Sequence, residues 1–296
     1  MTENNGSTAM AEKGNRIHRG EVLRTRWLTP GMIRVALGGP GLREFRSKGH
    51  TDEYIKLIFP APNALLPAQE EDLTEFRARL HRADWPHTRT YTVRAWDPKA
   101  GELTLDVFCH GSAGFGGPWA VGVRPGDSIA FIGPGGGYVP NADAPWHLLA
   151  GDESALPAIA RALEAMPAGA AVRVFVEVDG PEAVHELLTS AQGQVVWLYR
   201  GERERGAPLV EAVAAMAFLP GEPQVFVHGE AGMVKRLRLH LRAERRLSGE
   251  RFSVSGYWRQ GIDEGGWQAT KGEWNRQSGL EELDLVASRA SAYLWY

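Results

Sequence analysis

The sequence predicts two unlike halves: a closed antiparallel β-barrel, then an α/β domain built on a parallel sheet. Up to about Pro140, short apolar runs are separated by Pro-Gly, Gly-Gly and Asp-Pro turns, the pattern of antiparallel strands. After Pro145, apolar runs alternate with segments of helical period, the pattern of strand–helix units over a parallel sheet. With 296 residues the chain has room for both.

Residues 1–15 have little to bury and are expected to form a disordered tail. The first domain is expected over 16–142, with strands at Gly20–Thr29, Met32–Gly38, Glu53–Phe59, Arg89–Trp96, Glu102–Phe108 and Ser128–Ile132. Within it, Gln69–Arg82 places Leu73, Phe76 and Leu80 at helical spacing, which reads as a short amphipathic insertion. The second domain is expected over 143–258. Its strands are Trp146–Ala150, Ala171–Val178, Gln194–Tyr199, Gln224–His228 and Arg251–Tyr257. Its helices are Ser154–Ala165, Pro181–Ala191, Leu209–Phe218 and Gly232–Leu247. An extension over 259–296 carries Trp267 and Trp274 on a helix and ends in the aromatic run Tyr293–Tyr296.

Composition excludes several classes. A formal net charge of −3 with no long basic stripe argues against nucleic-acid binding. A single cysteine, Cys109, excludes an internal disulfide and a cysteine-ligated cluster. The nine histidines lack ligand spacing, so no protein-bound metal is expected. No apolar run is long enough to span a bilayer, and a cytoplasmic protein without membrane insertion is the expectation. The basic run Lys235-Arg236-Leu237-Arg238, with Arg242, Arg245 and Arg246, reads as a solvated helix face above a buried Val234, Leu237 and Leu241 stripe.

Two runs carry chemistry. In His87–Arg94, alternation puts Arg89, Tyr91 and Val93 on one strand face and Thr90, Thr92 and Arg94 on the other. Arginines suit phosphate, a tyrosine ring stacks or hydrogen-bonds, and Thr92 adds a hydroxyl. In HGSAGFGGPWA, from His110 to Ala120, Gly111, Gly114, Gly116 and Gly117 free the backbone to approach a pyrophosphate. Together they suggest a flavin dinucleotide site, and hence redox chemistry.

Further on, Asp152, Glu153, Ser154 and Ala155 lie at the turn from the first strand to the first helix of the α/β domain. A dinucleotide binds at that place in such folds, and the acids either cap the helix or orient a ribose.

The ordered motifs R-x-Y-T-V-R, D-V-F-x-H-G, G-D-E-S-A-L-P-A-I and G-Y-W-R-x-G resemble those of the siderophore-interacting protein family, within the ferredoxin reductase-like flavoproteins. The resemblance implies a flavin-binding Greek-key barrel followed by a nicotinamide-nucleotide-binding α/β domain. It implies an FAD-dependent NAD(P)H:ferric-siderophore oxidoreductase in which no protein side chain is itself catalytic. By that pattern Arg89, Tyr91, Thr92, Val93 and Arg94 line the flavin, Asp106, Phe108 and His110 sit beside its adenine half, and Gly114, Phe115, Gly116, Gly117 and Trp119 hold the pyrophosphate. The family commonly has Pro-Ala-Ser where this chain has Phe115-Gly116-Gly117.

Lys56 and Arg259 are the cations the resemblance assigns to the anionic ferric siderophore. Many relatives carry another arginine in G-P-R-G-S, where this chain reads Gly133-Pro134-Gly135-Gly136-Gly137, so a less anionic hydroxamate or mixed chelate is favoured. For the donor, Glu177, Asp179 and Glu182 suit a free ribose and Arg200 a 2′-phosphate; the balance leans to NADH over NADPH. Two alternatives stand beside this reading: electron exchange with a ferredoxin or another protein, and a non-catalytic siderophore-binding module.

Overall fold

The computed structural model describes residues 15–61, 64, 66–109, 111 and 114–292, with side chains to residue 286. Residues 1–14 of the expected tail over 1–15, His110 and Tyr293–Tyr296 lie outside the described residues, whereas Asn15 O accepts the Leu73 amide at 3.0 Å. The chain divides into two compact units between Gly137 and Tyr138.

The first unit is a closed barrel of β1 (Ile17–Thr29), β2 (Met32–Gly38), β3 (Tyr54–Phe59), β4 (His87–Asp97), β5 (Glu102–Phe108) and β6 (Ser128–Gly135). Every pairing is antiparallel, in the closed order β1-β2-β5-β4-β3-β6. In β3, β4 and β5 each strand pairs with the next, and β6 returns beside β3, which is a Greek key. Alternation builds the interior: Ile33, Val35 and Leu37 of β2 meet Ile55 and Leu57, Val93, Leu103, Leu105 and Val107, with Phe131 from β6. The expected insertion forms α1 (Leu73–Ala78), capped by Asp72, whose Oδ1 accepts the Thr74 amide at 2.7 Å. Leu73 and Phe76 pack outside the barrel on Ile17, Ile58, Ala130 and Ile132, so the helical spacing serves a second, smaller core. The glycine-rich run continues into a short helix, α2 (Gly116–Gly122).

The second unit has a parallel sheet of β7 (His147–Gly151), β8 (Val172–Val178), β9 (Val195–Tyr199), β10 (Gln224–Glu230) and β11 (Phe252–Trp258), in the order β11-β10-β7-β8-β9. The order reverses between β7 and β10, so the C-terminal ends of these strands form the switch point of a doubly wound sheet. All five residues of β7 are buried, as the central strand of a sheet covered on both faces requires. Its helices are α3 (Leu156–Glu164), α4 (Ala207–Ala215), α5 (Ala231–Leu239, prolonged by a π turn over His240–Glu244) and α6 (Glu264–Ala292).

Two expectations are corrected. The helix expected at Pro181–Ala191 is only a 3-10 turn over Pro181–Ala183. The Thr189 and Ser190 hydroxyls instead donate to Leu163 O and Met166 O at the end of α3, while Leu188 stays exposed; Val184, Leu187 and Leu188 keep helical spacing, but tertiary bonds decide the path of the segment. The basic face of α5 is only partly solvated: Arg236 and Arg238 keep 40% of their side chains exposed. Lys235 pairs with Glu281, and Arg238 and Arg242 both pair with the buried Glu282 of α6.

Candidate functional site

The register of β3 and β4 sorts the residues of the first unit. Leu57 lies opposite Arg89 and Ile55 opposite Tyr91, so both site residues share the side of the barrel interior, and Val93 is wholly buried within it. Lys56 lies opposite Thr90 and Tyr54 opposite Thr92, on the outer side. The structure therefore divides the expected flavin residues between two surfaces.

On the inner side, Arg89, Tyr91 and the glycine-rich segment come together. A Cβ on Gly116 would lie 1.6 Å from the Tyr91 hydroxyl oxygen, so only glycine lets the loop cross that ring. Phe115 stacks on His87, with ring centroids 4.4 Å apart, and the Arg89 guanidinium lies over the Phe115 ring, 4.9 Å from its centroid. Trp119 packs against the same barrel core. Phe115 is the N-cap of α2 and makes no side-chain cap hydrogen bond to it. A cation, an aromatic ring and a side-chain-free backbone thus meet in one place, a donor set suited to a flavin dinucleotide.

On the outer side, Asp106 is engaged by protein. Its carboxylate accepts both arms of Arg34, at 2.6 and 2.7 Å, and lies 3.6 Å from Arg94 Nε. Phe108 ends β5 against Gly31, and Lys56 is half-buried. Where the extra arginine of the resemblance would stand, a Cβ on Gly135 would lie 2.5 Å from Tyr54 Cζ, so the Tyr54 ring fills that space.

In the second unit, Asp152 occupies the switch point. Its Oδ1 accepts the Ser154 amide (2.9 Å) and hydroxyl, and its Oδ2 accepts the Glu230 amide at 2.8 Å and Trp258 Nε1 at 2.9 Å. One carboxylate therefore joins the ends of β7, β10 and β11. Ala155 is buried against Gly151, where an added Cβ would approach it to 2.6 Å. Glu153 is buried, and that burial raises its carboxyl to about 7; the Asp152 carboxylate adds to the rise, and Arg200 and Arg205 only partly oppose it.

Arg200 is buried among Glu153, Glu177 and Asp179, with Glu153 at 3.6 Å and Glu177 at 3.5 Å. Glu177 accepts the Gly206 amide at 2.8 Å and the Leu209 amide at 3.3 Å, capping α4. These are internal bonds. Neither Glu177 nor Arg200 is presented to a ribose or a 2′-phosphate, and the lean to NADH loses its basis.

Arg259 follows β11 directly, and its guanidinium stacks 4.0 Å from the Trp274 ring centroid of α6. Sequence reasoning missed this pairing, as it missed His87 and the bond from Trp258 to Asp152. The last was within reach, because Trp258 and Asp152 belong to two motifs already singled out.

Comparisons with known proteins bear on the family and the fold. The family model described as "Siderophore-interacting FAD-binding domain" matches residues 21–138, and that described as "Siderophore-interacting protein" matches residues 144–261. A protein of Mycobacterium tuberculosis strain H37Rv, described as uncharacterized, is 45% identical over 85% of this chain and 93% of its own. The ferric vibriobactin reductase ViuB of Vibrio cholerae is 33% identical over 82% of this chain and 90% of its own. The NADPH-dependent ferric-chelate reductase of Escherichia coli K12 is 31% identical over 80% and 91%. Among solved structures, a siderophore utilization protein from T. fusca superposes with a TM-score of 0.73 at 35% identity, covering 84% of this chain and 94% of that one. The ferredoxin reductase of a carbazole 1,9a-dioxygenase, 15% identical over 82% of this chain and 69% of that one, shares the fold with a TM-score of 0.58.

Proposed function

The chain belongs to the siderophore-interacting protein family, and from that membership we propose that it is an FAD-dependent, NAD(P)H-driven reductase that releases iron from ferric siderophores. The reaction balances as NAD(P)H plus two ferric chelates giving NAD(P)⁺, a proton, two Fe(II) and the free ligands. Fe(III) is hard and favours hydroxamate or catecholate oxygens; Fe(II) binds them far more weakly, so reduction frees the metal.

The observation that carries the reading is the meeting of Arg89, Tyr91 and the side-chain-free backbone at Gly116, where an added Cβ would collide with the Tyr91 hydroxyl. When bound there, a flavin supplies the conversion of a two-electron donor into one-electron steps. Arg89 would neutralise the diphosphate with the amides of Gly114 to Gly117 beside it, and the Tyr91 ring would orient the planar part. Thr92 and Arg94, on the other side of β4, with Phe108 would give the cofactor a second surface, and Asp106 would act there by holding Arg94; His110 is assigned to it by the resemblance alone. Lys56 is the cation of the first unit, and Arg259 that of the second, that would attract an anionic chelate. With Tyr54 in place of a further cation, the site suits a chelate of modest negative charge. The turn Asp152–Ala155 would shape the nucleotide end of the parallel sheet, with the Asp152 carboxylate spent on protein donors.

For the donor, the Escherichia coli relative's name speaks for NADPH, and no side chain of this chain is assigned to choose against NADH. The test is spectroscopic. The purified protein should be yellow and bleach under nitrogen on addition of NADH or NADPH; a protein that binds no flavin when supplied with FAD contradicts the assignment.

A further inference from the structure

Arg259 would be a poor ligand if its long stem were free, because fixing it on each binding event costs side-chain entropy. It is not free. The turn after β11 is short: the Ile262 amide donates to Arg259 O at 3.2 Å, Gly261 takes φ +80°, and Asp263 caps the start of α6 through the Gly266 amide at 2.7 Å. One helical turn on, Trp267 is wholly buried and packs edge to face on Trp274, with centroids 6.3 Å apart. That contact fixes the Trp274 indole, and the Arg259 guanidinium lies on it at 4.0 Å. The Lys235 ammonium is 5.3 Å from the same ring, and Lys235 also pairs with Glu281. Two cations therefore lie against the Trp274 ring, one from α5 and one from the turn after β11.

A guanidinium stacked on a ring face keeps its N–H donors at the edge of its plane, where chelate oxygens can accept them. We propose that Trp274 is a positioning residue: through it, the C-terminal helix presents Arg259 to an anionic ferric chelate. This rests on the reading of Arg259 as a substrate cation. It gives α6 a part in substrate affinity, with no part in electron transfer.

The test uses the full chain with its flavin and compares Trp274→Leu, Trp274→Phe and Arg259→Ala. The probes are ferric citrate, which is anionic, and a neutral ferric trihydroxamate. Direct binding is measured by titration without nucleotide, then KM and kcat by Fe(II) release, with a thermal melt for each variant. Trp274→Leu should weaken ferric citrate binding and raise its KM about tenfold, with kcat within about twofold. Trp274→Phe should restore most of the affinity, and the neutral chelate should shift by less than about twofold.

An equal loss for both chelates, or a kcat loss at unchanged KM, overturns the inference as a mere structural effect. So does Trp274→Leu without effect where Arg259→Ala weakens binding. If Arg259→Ala leaves ferric citrate binding unchanged, both the assignment of Arg259 and this inference fall. Failure of the reductase reading shows separately, as ferric chelates that bind normally and are never reduced.

Discussion

Trp258 Nε1 donates to Asp152 Oδ2 at 2.9 Å, joining two segments 106 residues apart in the chain. The bond explains why G-D-E-S and G-Y-W-R occur together: the acid of the first motif anchors the aromatic of the second, and Arg259 follows immediately. The same oxygen accepts the Glu230 amide, and Gly229 must lack a side chain because a Cβ there would lie 2.7 Å from the carboxylate.

Asp152→Ala should therefore be costly to the second unit. It strands buried donors on Glu230, Ser154 and Trp258, each worth about 1–3 kcal/mol when left unpaired. Denaturant unfolding should show a loss of about 3 kcal/mol or more, and Trp258→Phe a smaller one. An Asp152→Ala protein as stable as the parent would contradict the clamp.

Gly116→Ala should strip flavin from the protein, because its Cβ collides with the Tyr91 hydroxyl. Arg89→Ala should weaken FAD binding about tenfold or more, through loss of a charge-assisted contact to phosphate. Flavin content after gel filtration, with FAD titration back into the stripped protein, measures both.

Two buried groups set opposing pH slopes in stability. Burial raises Glu153 from 4.5 to about 7, so its contribution is fully present below pH 4.5 and is lost as pH rises through 7. Burial lowers His228 from 6.5 to about 3, so the native state binds fewer protons than the unfolded chain, and stability is lost as pH falls from 6.5 towards 3. Between pH 4.5 and 6.5 the two slopes oppose each other. Glu153→Gln should remove the upper slope, gaining about 3 kcal/mol relative to the parent at pH 8 over its value at pH 4. Urea unfolding across pH 4 to 8 checks it, and a parallel pair of curves would count against the buried carboxyl.

Arg200 is held by Glu153, Glu177 and Asp179. Arg200→Gln should lower stability by about 3 kcal/mol, because it leaves buried carboxylates uncompensated. The ratio of kcat/KM for NADPH to that for NADH should stay within about twofold. A collapse of NADPH use alone would return Arg200 to the nucleotide site.

The barrel was legible because alternation in Ile33, Val35 and Leu37, and helical spacing in Leu73 and Phe76, are local signals of burial that the tertiary structure honours. Helical propensity at Pro181–Ala191 was equally local, but Thr189 and Ser190 bond to the end of α3, which no window of sequence contains. Likewise the basic face of α5 reads as solvated until Glu281 and Glu282, some forty residues on, fold against it. Arg89, Tyr91 and the glycine run stood out by residue type; their crossing at Gly116, and the filling of the Gly135 space by Tyr54, are distances that only the fold supplies.

The central claim is met most directly by one anaerobic titration. The flavin-loaded protein receives NADH or NADPH and a ferric siderophore, with an Fe(II) chelator as trap. The account predicts bleaching by the nucleotide, recovery of colour on adding the chelate, and about two trapped Fe(II) for each nucleotide oxidised. A flavin that is reduced but does not reoxidise, with no Fe(II) trapped for any ferric siderophore, would contradict it.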